Sequence, residues 1–245
     1  MSRIIEIDIT KGIAVIMMVI YHLFYMAYLM NKPIIDINLP WVSAMAVLSH
    51  SIFIYMVGVN LHISYKKDPD GFYRKQSLRA LKLLGYGLLM TLITYLIYPN
   101  AFIRYGIFHF IASAIIISMV FIQTKLKTSF GILLFMIMAF YIENNKDTFG
   151  YMCLNTKNLC FNLGLYNNFI SIDHFSFIPF FIYVLLGIKT GQIIYPQLKS
   201  PLNIKENKIT NGLAIIGKYS LNIYLVHWVI IYILLVLTPS HKIAY

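Results

Sequence analysis

Seven runs of roughly 20 mainly apolar residues, at about 10–30, 41–63, 77–98, 102–122, 128–142, 173–195 and 211–237, alternate with short stretches rich in lysine, arginine and asparagine. A run of ~20 apolar residues is what a helix needs to cross ~30 Å of hydrocarbon. Inside lipid a single segment satisfies its own backbone hydrogen bonds only as a helix. Composition excludes a soluble alternative: 59% of the 245 residues are hydrophobic and 12% charged, where a soluble domain carries about a quarter charged. The expectation is an all-α, polytopic transmembrane helix bundle of about seven spans. With no internal repeat and no long linker, residues 1–245 read as a single membrane domain. The first run is too long for a signal peptide, and no small-residue cleavage site follows it.

The formal net charge of +11 would suit nucleic acid, but the basic residues fall between the apolar runs, where they act as topology signals. With the N-terminus in the cytoplasm, 15 lysines and arginines lie inside, and Lys32, Arg104, Lys146, Lys157 and Lys242 lie outside. The expectation is therefore an N-in/C-out, multi-pass protein of the cell membrane, with lipid and no nucleic acid as partner; homo-oligomerisation is open. The long outer segment 143–172, polar and asparagine-rich, is a candidate lid or acceptor-binding element. It holds both cysteines, Cys153 and Cys160, which can form a disulfide in an oxidising exterior. Neither has zinc-ligand spacing, and no metal is expected.

On this topology His22, His50, His109, His174 and His227 share one depth, the outer half of the bilayer or its outer boundary. A single intramembrane histidine is more often hydrogen-bonded packing than a site; several from different helices at one depth point to function. Lys11 and His22 are eleven residues apart, so on one helix they lie within ~20° of each other and roughly 16 Å apart. Asp8 falls on the same stripe. Tyr105, His109 and Ser113 are spaced four apart, and Ser220, Tyr224 and His227 four and three apart, giving two more polar stripes. The neighbours Asp173 and His174 read equally as an acid–base pair or as a helix cap with a solvated neighbour.

The segments "EIDITKGIAVIMMVIYHLFY", "YGIFHFIA", "DHFSFIPFFIYVLLGIKTG" and "GKYSLNIYLVHW", in that order, resemble four blocks of the bacterial and archaeal membrane proteins related to the catalytic domain of heparan-alpha-glucosaminide N-acetyltransferase. That family is in turn similar to the wider acyltransferase-3 group. The resemblance runs from Ile5 to Trp228. It implies transfer of an acyl group, acetyl above all, from cytosolic acyl-CoA to an amine or hydroxyl of an extracytoplasmic sugar or glycan. Carried over by motif, Asp8, Lys11 and His22 match the first block, His109 the second, Asp173 the third and His227 the last. Lys11 stands where arginine is usual, which keeps the charge and loses the bidentate fork. The third block lacks the tryptophan often found after its proline.

Residues and resemblance together give one scheme. His22 is the general base, since neutral imidazole has suitable basicity near pH 7. His109 or Asp173 orients it or stabilises the oxyanion. Asp8, Lys11, Arg79 and Lys82 seat the acyl-CoA co-substrate, and His174, His227 and His50 contact the acceptor. An acyl-histidine intermediate fits the same residues. The alternatives built on the same histidines are a b-type haem electron carrier and a proton-relay transporter.

Overall fold

The computed structural model describes residues 4–146, 148–149, 153, 157–165, 170–202 and 204–238; Arg3 and Lys242, counted above for orientation, lie outside them. The described residues form nine helices: α1 (Ile5–Leu29), α2 (Pro40–Lys67), α3 (Pro69–Ile97), α4 (Ile107–Ser118), α5 (Lys125–Asn144), α6 (Lys157–Leu163), α7 (Phe177–Ile194), α8 (Lys208–Lys218) and α9 (Ser220–Leu237). The protein is all-helical, and six of these helices, α1, α2, α3, α5, α7 and α9, are long and apolar enough to cross a membrane.

The helices begin and end where local chemistry dictates, which is not always where hydropathy changes. The polar stretch before the third apolar run is already helical, because the Asp68 side chain accepts from the Gly71 N–H at 2.9 Å and Pro69 occupies the first turn. Thr124 caps α5 through the Lys127 N–H, and Asn207 with Thr210 forms a capping box on α8.

Two of the expected spans differ from the reading above. The run 102–122 is helical only over the 12 residues of α4, about 18 Å. The run 211–237 is two helices, broken at Tyr219 (φ −98°, ψ 16°). Gly217, two residues before the break, lies so close to α1 that any Cβ there would run into the Asp8 carbonyl.

The chain packs as two compact units, one running up to Met56 and resuming at Lys199, the other Val57–Leu198, with the boundary inside α2. In the first, α1 packs against α8 and α9. Gly12 and Gly217 bring the α1 and α8 backbones together: a Cβ on Gly12 would meet the Leu213 carbonyl carbon at 3.0 Å and the Gly217 nitrogen at 3.3 Å. Small residues at helix crossings serve this purpose in membrane proteins. Farther along, Met26 and Ala27 of α1 pack with Ile231 and Leu235 of α9. Lys32 closes this end by donating to the carbonyls of Leu235 and Thr238 at 2.8 and 2.9 Å, so a cation sits at the negative end of α9.

In the second unit α4 lies along α3 and α7, and α5 along α7. Gln192 of α7 donates to Thr128 Oγ1 at 3.0 Å and to the Ile122 carbonyl at 3.1 Å. Although α4 is short, its flanks hold it against α3 at both ends. Thr91 and Thr94 hydrogen-bond Ile103 at 2.7 and 3.0 Å, and Gln123 donates to the Tyr73 hydroxyl at 3.0 Å. Tyr73 and Thr91 lie about 27 Å apart along the helix, close to the ~30 Å of a hydrocarbon core.

Candidate active site

The first unit brings two of the expected histidines together. The His22 and His227 ring centroids are 4.9 Å apart, one on α1 and the other on α9. Each ring is oriented by its own helix: His22 Nδ1 lies 3.0 Å from the Met18 carbonyl, and His227 Nδ1 lies 2.6 Å from that of Tyr224. A carbonyl can only accept, so in the neutral ring Nδ1 carries the hydrogen and Nε2 the lone pair. Both imidazoles are thus set as bases through Nε2. His227 is 3% exposed and its Nε2 has no hydrogen-bond partner, while His22 is only partly buried.

The indole of Trp228 completes the cluster, 5.3 Å from the His22 ring and 6.2 Å from that of His227. Tyr224 lies 5.3 Å from His227 and stacks on Phe53. Tyr224 and His227 of the sequence stripe are thus in contact, and Ser220, at the start of the same helix, is buried. Trp228 was not among the expected residues; its signal was its place beside a histidine already singled out.

The pair does not fit a bis-histidine haem. Axial imidazoles bond the metal from opposite faces at ~2 Å each, and the macrocycle plane passes between them. Two rings packed at 4.9 Å leave no room for it. Among the described residues no three His, Cys, Asp or Glu side chains group so that they could hold a metal ion.

At the other end of α1, Lys11 Nζ pairs with Asp8 Oδ1 at 2.7 Å, with Asp8 buried. The glycine following Lys11 in the first motif is Gly12, which admits the α8 backbone. His50, half-buried on α2, belongs to this unit too, its ring bonded to the Ala46 carbonyl.

The second unit holds the remaining residues. Asp173 Oδ2 accepts from the Ile107 N–H at 3.0 Å, capping α4 from 66 residues away. Gly106 makes room, since a Cβ there would collide with that carboxylate. The local reason is an extended pairing before α7: Ile172 N donates to the Ala101 carbonyl and Phe175 N to that of Tyr105. The sequence left Asp173 open between an acid and a cap of its own helix; the structure shows it capping a different helix. Lying before α7, outside its span, the carboxyl is pushed up by burial to about 6, an effect partly opposed by the Ile107 N–H.

His174 is covered by α6. Its Nε2 lies 3.0 Å from the Phe161 carbonyl, and its ring stacks on that of Phe161 with centroids 3.7 Å apart. Burial lowers its pKa. The Cys153–Cys160 disulfide joins the chain next to Phe161, the pairing that the sequence left open.

His109 is buried with Nδ1 unpartnered. Its ring sits against α3 at Gly87, where an added Cβ would lie 2.9 Å from Cε1. Tyr105 stacks on His109 at 5.9 Å and bonds Ser113 through its hydroxyl, so the second sequence stripe is one cluster. Gly87 went unnoticed in the sequence because nothing local marks a glycine as a seat for a ring 22 residues later. Lys82 is exposed with its ammonium 5.7 Å from the Tyr86 ring, and Arg79 reaches Gln76 at 3.4 Å. Arg79 and Lys82 thus belong to one unit, Asp8 and Lys11 to the other.

An all-helical chain with six helices long and apolar enough to cross a membrane belongs to the class of polytopic membrane proteins. The family model for heparan-alpha-glucosaminide N-acetyltransferase, catalytic, matches residues 3–229. The chain belongs to this family of membrane acetyltransferases. No curated protein and no solved structure matches it.

Proposed function

We propose that this protein moves an acyl group, acetyl in the first instance, from cytosolic acyl-CoA to an amine or hydroxyl of an extracytoplasmic sugar. The observation that carries the reading is the His22–His227 pair, two neighbouring imidazoles fixed in one tautomer in a chain whose family is named for N-acetyl transfer. His22 Nε2, the more open of the two, is the general base toward the acceptor. Lys11 lies eleven residues toward the N-terminus on the same helix, roughly 16 Å away, a distance comparable to an extended pantetheine arm. The nucleotide then stays at the cytoplasmic mouth, near Asp8 and Lys11, while the thioester reaches the histidines.

Arg79 and Lys82 supply further positive charge toward the CoA phosphates. The roles expected from the sequence for His109 and Asp173, toward the oxyanion, and for His174 and His50, toward the acceptor, are kept as part of the proposal. The N-in/C-out orientation and seven crossings, with α4 and its flanks as the fourth, are part of the same proposal. The 15-to-5 distribution of basic residues and the attachment of the α4 segment along α3 support it.

The test is transfer of label from radioactive acetyl-CoA to a panel of hexosamines and oligosaccharides by the purified protein. Wild type should label at least one acceptor, and His22→Ala should lose about 10²–10⁴-fold in kcat with its Tm retained. If a folded wild type neither binds CoA nor labels any acceptor, the reading fails.

A further inference from the structure

We infer that His227 is a second catalytic residue, whose Nε2 returns to the departing CoA sulphur the proton that His22 takes from the acceptor. The inference rests on the acyltransfer reading and deepens it. Burying a polar nitrogen without a partner costs about 1–3 kcal/mol. His227 Nε2 is such a nitrogen, and a packing role does not explain it, because the bond that orients the ring is made by Nδ1. Buried polar atoms are as a rule hydrogen-bonded, and an exception calls for an explanation, of which a catalytic role is one. The missing partner belongs to the reaction: a proton to carry and an atom to receive it.

The neighbouring ring supplies the proton. With ring centroids 4.9 Å apart and no direct bond to His227 Nε2, the two imidazoles are spaced for transfer through one bridging water. Their accessibility divides the roles. The base must meet an incoming sugar, and His22 is the more open ring; the group that protonates a leaving atom works best enclosed, and His227 is 3% exposed.

The step balances without any further reactant. The acceptor N–H or O–H gives its proton to His22 Nε2 as its nitrogen or oxygen bonds the acyl carbon. That proton passes to His227 Nε2. The C–S bond breaks with its electron pair remaining on sulphur, and the sulphur takes the proton from His227. Products are the acylated acceptor and CoA thiol, and both imidazoles end neutral.

The experiment compares two acetyl donors on one acceptor: acetyl-CoA, whose thiolate is protonated as it leaves, and p-nitrophenyl acetate, whose leaving anion needs no proton. His227→Asn keeps a donor toward the Tyr224 carbonyl and removes the base; His227→Ala removes both. The expected result is a loss of about 10²-fold or more with acetyl-CoA and little change with p-nitrophenyl acetate, whereas His22→Ala loses activity with both donors. On wild type, deuterium oxide should slow both reactions, because His22 moves a proton in each, and slow the acetyl-CoA reaction more, because a second proton moves there; this tests the claim even if neither variant folds. Equal losses with both donors, no loss with either, or a solvent isotope effect that ignores the donor would overturn the inference. A wild type inactive with both donors overturns the acyltransfer reading itself.

Discussion

At the scale of single residues, Asp173 separates structure from chemistry most cleanly. Its carboxylate holds the first N–H of α4, and burial raises its pKa to about 6 against roughly 3.9 unfolded. The folded state therefore binds the extra proton between those values, so this group favours folding below about pH 4 and its contribution is lost as pH rises through about 6. The difference is of the order of 3 kcal/mol. Asp173→Asn, which can still accept from the Ile107 N–H, should flatten the Tm-against-pH profile between pH 4 and 6 and raise Tm at pH 7. Asp173→Ala leaves that N–H unpaired and should be less stable than Asp173→Asn by about 1 kcal/mol. If Asp173 also serves the reaction, Asp173→Asn loses activity while gaining stability; an asparagine variant that keeps full activity marks the residue as a cap alone. The histidines of the bundle were legible because a polar residue inside a 20-residue apolar run has few explanations. The capping role of Asp173 was not, since its partner lies 66 residues away.

At the scale of elements, hydropathy located most of the spans because lipid selects for apolar side chains. It missed the break at Tyr219 because that break accompanies a contact between backbones. Gly212 and Gly217 look alike in the sequence, yet Gly212 faces open space and Gly217 meets the carbonyl of Asp8. Gly217→Ala should cost about 1–3 kcal/mol through overpacking and pull at the Asp8–Lys11 end of α1. Gly212→Ala should be neutral or stabilise by up to about 1 kcal/mol. Thermal unfolding of both variants in the same detergent checks the contrast, and equal effects would remove the close crossing of α1 and α8 from the account. The start of α3 was missed by hydropathy, which placed it at about 77, although a capping acid followed by proline at 68–69 is a local signal for it. The short α4 was not legible, because its apolar flanks have the composition of helix and the pairing of other segments.

At the scale of the whole molecule, the proposed reaction joins a donor on one side of the membrane to an acceptor on the other through the histidine pair. Membership of the acetyltransferase family gives the reaction class; the direction is part of the proposal and is supported by the 15-to-5 distribution of basic residues. The most direct measurement uses sealed vesicles containing the protein in one known orientation, with labelled acetyl-CoA outside and a hexosamine acceptor inside, the cytoplasmic face outward. The account predicts labelled acceptor inside intact vesicles, abolished by His22→Ala and absent when acetyl-CoA is offered only to the opposite face. Equal transfer from either face, or undiminished transfer by a folded His22→Ala protein, would contradict it.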